Sequence, residues 1–107
     1  MATIIHGPKD KYVKELKTVL DEYERENPGA VVTLYRQNTA SVRIRVVDSR
    51  FAKITKGDRH DKVWDYLTSR VDEDTMQEIS VLLLLSQKEQ NSSFMNFEFN
   101  DPIPSGF

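Results

Sequence analysis

Seven residues, Ile79 to Leu85, constrain the fold more than any other stretch of the chain. They read Ile-Ser-Val-Leu-Leu-Leu-Leu, an almost wholly apolar run of strand length. A strand of this composition is wanted on both faces, so something must cover each side of it. The segment Phe94-Met95-Asn96-Phe97-Glu98-Phe99 offers that cover on the second side of Leu82 and Leu84. It alternates after a polar turn at 87–93, and the alternation predicts an extra C-terminal strand. Ser41 to Val46 alternates strictly, which directs Val42, Ile44 and Val46 to the core and Arg43 and Arg45 away from it. That is the pattern of a half-buried antiparallel strand. The β-branched and aromatic run Val31-Val32-Thr33-Leu34-Tyr35 reads as a strand before it, with a turn at 38–40.

Two helices complete the pattern. Tyr12, Val13, Leu16, Val19, Leu20 and Tyr23 form one stripe of a helix over 10–26, which Asn27-Pro28-Gly29 stops. Thr55 and Asp58 fit a capping box, Thr55 as N-cap. The helix after it carries His60, Val63, Trp64, Leu67 and Val71 on its apolar stripe. Residues 72–77 are an acidic turn or one short helix. The prolines at 102 and 104 keep 101–107 irregular, and 1–9 is expected to be irregular too. The order α-β-β-α-(α)-β, with the extra strand, predicts an α+β two-layer sandwich. At 107 residues the chain is one domain, 1–107.

From Phe51 through Thr55, Arg59-His60 and Val63, the spacing resembles that of the BolA family. Members carry a Phe, a capping Ser or Thr, then Arg-His and a Val. The element order from the first helix through the strand at 79–85 is also that of BolA proteins, relatives of the type II KH fold. The resemblance covers roughly residues 10–86 and implies that fold and a non-enzymatic, regulatory binding role. Family members place a His just before the last strand, where it helps hold a two-iron cluster with a monothiol glutaredoxin. Ser80 stands there in this chain, and the loop from Arg36 to Ala40 holds neither Cys nor His. A hydroxyl is a poor iron ligand beside imidazole or thiolate. The resemblance therefore implies the fold without cluster sharing, and no cofactor is expected.

Reaction chemistry finds no foothold in the residues. There is no cysteine, hence no thiolate nucleophile or ligand. The two histidines, His6 and His60, lie too far apart for a metal motif. His60 sits on an apolar stripe, so it reads as a partly buried structural residue; the resemblance implies a structural role for Phe51, Thr55, Arg59 and Val63 as well. The carboxylate pairs have ordinary explanations: Asp58 and Asp61 sit at a helix N-terminus, where negative charge is favoured. No nucleophile elbow, zinc-protease motif or phosphate loop occurs. The expectation is a chain that is not an enzyme. It is also a cytoplasmic one: the N-terminus lacks the pattern of a signal peptide, and the longest apolar run falls far short of a membrane span.

Charge is unevenly distributed. The net charge is −2 and the pI about 5.7, which excludes a general polycation. Yet residues 36–70 hold nine Lys and Arg against four Asp, while 71–107 hold one Lys against seven acids. Arg43, Arg45, Lys53, Lys56, Arg59 and Lys62 are the candidates for a face that meets nucleic acid or an acidic partner. Such binding would be weak and electrostatic, because Thr55-Lys56-Gly57-Asp58 lacks the Gly-x-x-Gly clamp of KH domains. Phe94, Phe97 and Phe99 are the candidates for a protein interface by strand pairing, with a protein partner or a second copy of the chain. The primary expectation is protein–protein contact, with weak nucleic-acid binding as the alternative.

Overall fold

The computed structural model describes residues 1–5, 7–91, 96 and 99. Along the chain come β1 (Thr3–Ile4), α1 (Lys11–Glu26), β2 (Val31–Asn38), β3 (Ser41–Val47) and a 3-10 turn (Ser49–Lys53). They are followed by α2 (Lys56–Thr68), α3 (Glu73–Glu78), β4 (Ile79–Leu85) and α4 (Gln87–Gln90). The strands form one mixed sheet in the order β1-β2-β3-β4. β2 and β3 are an antiparallel hairpin, while β1 runs parallel to β2 and β4 parallel to β3. Parallel neighbours need a crossover. α1 supplies the first, and the 3-10 turn with α2 and α3 supplies the second.

Register assigns the two faces of this α+β sandwich. Val32, Leu34, Val42, Ile44, Val46 and Leu84 join Val13, Leu16, Leu20, Val63, Leu67 and Met76 in one core beneath the helices. The alternate positions Thr33, Tyr35, Arg43, Arg45, Val81 and Leu83 stand opposite one another on the outer face. Leu82 and Leu84 thus need no outer cover, because they point to the helices. Asn96 and Phe99 lie against the outer face, and both are helical. At those two positions the expected C-terminal strand is replaced by helix; Phe94, Phe97 and the irregular segment 101–107 lie outside the described residues.

The sheet's fourth strand instead comes from the N-terminus, where 1–9 was expected to be irregular. β1 pairs through Thr3 opposite Thr33 and Ile4 opposite Leu34, and Gly7 then turns the chain away. Its φ of +86° is costly for any other residue, and a Cβ there would lie 2.6 Å from the carbonyl oxygen of Arg36.

Arg36 is the other residue that this corner depends on. It is 5% exposed on the helix side of β2, opposite Val42. Its Nε donates to Asp10, the N-cap of α1. Its Nη1 donates to the carbonyl of Asn38 at 3.0 Å and its Nη2 to Glu78 at 2.9 Å. Burial works to raise the Asp10 carboxyl, but hydrogen bonds from Arg36 and the Val13 amide outweigh it and hold it below the usual range. Replacing Arg36 strands two carboxylates at the junction of α1, α3 and the hairpin. Arg36→Leu is expected to cost about 3 kcal/mol, the low end for breaking a buried pair because both acids keep some solvent. A urea titration would read this as a lower midpoint with an unchanged slope.

Candidate functional site

Six basic residues were candidates for one face, and the fold separates them. Arg43 and Arg45 project from the outer side of the sheet. Lys53, Lys56 and Lys62 are exposed on the 3-10 turn and α2, in the helical layer. Arg59 is buried at 5% exposure and belongs to neither surface. Its Nε donates to the carbonyl of Ile54 at 2.9 Å, and its Nη1 to the carbonyl of Leu84 at 3.1 Å and to Glu89 at 2.7 Å. The guanidinium also sits 5.7 Å from the centroid of the buried Phe51 ring.

This reverses the expected order of Arg59 and His60. Val63 and Leu67 point straight into the core, and one turn before Val63 the inward position is Arg59. His60 is exposed and stacks on Trp64 at 5.5 Å between ring centroids. Thr55 does cap α2, accepting from the Asp58 amide at 3.2 Å. A full capping box occurs instead at Ser86 and Glu89, at the start of α4. Glu89 therefore accepts from the Ser86 amide and from Arg59 together, which pulls its carboxyl down to about 2.

On the outer face, Arg45 reaches Asn96 Oδ1 at 2.8 Å, and its guanidinium lies 4.8 Å from the Phe99 ring centroid. Phe99 packs edge-on against Tyr35 at 4.9 Å and is 1% exposed. Of the three phenylalanines considered as an interface, this one is internal to the fold.

A groove with an apolar lining lies elsewhere. Trp64, Thr68, Val71, Met76, Gln77 and Ile79 line an open groove of about 510 Å³ between α2, α3 and the start of β4. β4 is paired on one side to β3 and, among the described residues, to no strand on the other. Val81, Leu82 and Leu83 are only half-buried. A Leu-rich edge strand beside an apolar groove is a contact surface for another chain over Val81 to Leu83, since the carbonyl of Leu84 is already held by Arg59. The sequence signalled Trp64 and Val71 only as core. Met76 and Ile79 carried no sign that they would meet Trp64, because that depends on how α3 folds back. Among the described residues no group of three His, Asp or Glu is placed to hold a metal ion. No helix among them is long and apolar enough to cross a membrane.

Glu89 has a depressed carboxyl, so the stability it contributes is present above about 4.5 and is lost as pH falls toward about 2. Glu89→Gln should already lack that contribution at neutral pH. Its stability should then fall less than the wild type's over the same acid range, in a series of urea midpoints at stepped pH. Compared with protein-family models, with curated proteins and with solved structures, the chain finds no match.

Proposed function

We propose that this chain is a non-enzymatic, BolA-like binding module that acts through protein–protein contact at the β4 edge and the groove beside it. One observation carries the reading: among the described residues the half-buried strand Val81-Leu82-Leu83 has no strand on one side, and it runs on from the apolar groove at Trp64. Backbone pairing along such an edge supplies affinity, and the groove supplies a pocket for a side chain. Support for the BolA-like part is the order α1-β2-β3-α2-α3-β4 together with Phe51, Thr55, Arg59 and Val63 at their structural posts. The nucleic-acid alternative draws less support, since its six basic residues occupy two sides of the sheet and its interior.

Site-specific photocrosslinking in the native cell tests the reading. A benzophenone side chain at Thr68 or Gln77, both exposed at the groove, is expected to capture a defined protein identifiable by mass spectrometry. Lys14, exposed on α1, should capture none. The captured protein should bind the purified chain directly, and Thr68→Arg, which fills the groove, should weaken that binding about tenfold. Equal yields at Thr68, Gln77 and Lys14 would remove the contact surface from this place.

A further inference from the structure

Resting on that contact reading and deepening it, we infer that the groove takes a cationic, apolar segment of the partner protein. Such a segment sets one large aliphatic or aromatic side chain in the groove and presents Arg or Lys to its rim.

The lining accounts for the apolar part. Val71 and Met76 are buried, and Trp64 and Ile79 are partly buried beside them. His60 stacks on Trp64 and backs the indole, while the unbranched thioether of Met76 adapts to aromatic or branched shapes. An open volume of about 510 Å³ admits a large side chain together with its neighbouring backbone.

Charge accounts for the cationic part. Glu73 lines the groove from α3. Asp61 lies three residues before Trp64 and seven before Thr68, positions that share one side of α2. Each of the two helices that bound the groove thus contributes a carboxylate. Asp65, Asp72 and Asp74 are exposed on the same helices and the turn between them. From α1, Glu15 adds another carboxylate, accepting from the Asp72 amide and the Thr75 hydroxyl.

The neighbouring cations are turned elsewhere. The Arg70 guanidinium lies 3.7 Å from the centroid of the Tyr66 ring and donates to the Tyr66 carbonyl and Ser69 Oγ. Tyr66 itself packs against Tyr23 of α1, away from the groove. Lys62 is two residues from Trp64, so it does not share its side of α2, and its charge is felt by Asp48. Arg36 is buried between Asp10 and Glu78, and Arg43 stands on the outer face of the sheet opposite Val81. At the start of α2, Lys56 and Asp58 offset one another. The groove therefore attracts a basic segment and repels an acidic one. Arg and Lys suit it further, because their stems lie along apolar surface while the charge stays at the rim.

Trp64 is the chain's one tryptophan, so its fluorescence reports what enters the groove. The test selects a random, tryptophan-free peptide library on the purified full chain and titrates the isolates against that signal. Isolates that shift it are expected to carry a large apolar residue with Arg or Lys close by, and to bind less well at high salt. Asp61→Lys with Glu73→Lys should weaken them by at least about tenfold. Asp65→Lys with Asp74→Lys changes the net charge equally on the adjoining solvent sides and should weaken them less than about twofold. Isolates without a basic bias, equal losses in the two double variants, or no isolate that shifts Trp64 would overturn the cationic segment. Should the protein captured at Thr68 and Gln77 bind the Asp61→Lys, Glu73→Lys chain as well as the wild type, the contact reading stands and only the cationic segment falls.

Discussion

Two buried guanidiniums hold β4 at both ends. Arg36 ties Glu78, the last residue before the strand, to the N-cap of α1 and to the hairpin turn. Arg59 ties the carbonyl of Leu84, near the strand's end, to Ile54 and to the cap of α4. A strand with one neighbour would ordinarily be the loosest part of a sheet. Here its start and finish are each fixed by a planar, permanently charged fork with several acceptors in defined directions, which lysine could not replace. The groove and the open edge inherit their shape from those two anchors. Without Arg36, α3 has no charged link to the hairpin, and the wall that Met76 gives to the groove has less to fix it.

Periodicity made most of the fold readable. The stripe on α1 and the alternation of β3 each describe an element whose two sides face different surroundings, and the structure buries the residues those patterns picked, Tyr12 excepted, which is half-buried. Phase was harder. At Arg59 and His60 the pattern favoured the histidine, because an arginine on the inner side is costly unless its donors are satisfied. Its acceptors are main-chain carbonyls and Glu89, and nothing in the local sequence announces them. The N-terminal strand is two residues long, too short for any period to register. At Asn96 and Phe99 the alternation of phenylalanines suggested a strand. The two residues are three apart, however, which sets them on one side of a helical turn, and both engage Arg45.

The uneven charge along the sequence acquires a different meaning in three dimensions. As blocks, the basic middle and acidic end of the chain suggested a basic face. Folding distributes the basic block over both sides of the sheet and into the interior, so no such face assembles. What it does place is exposed Asp72, Glu73 and Asp74 beside Arg70 before β4, and exposed Lys53, Lys56 and Lys88 beside Asp58 after it, charges of both signs at each end.

The two margins of the sheet are unequal, and this bears on where another strand could add. β4 offers five regular residues, while the opposite margin is β1, a two-residue strand that Gly7 breaks off and Pro8 follows. Very short, turned-away margins are poor templates for further strands. Of the two margins, then, β4 alone offers length, and even there Arg59 closes the far end by holding the carbonyl of Leu84, so an added strand would find only a short template over Val81 to Leu83.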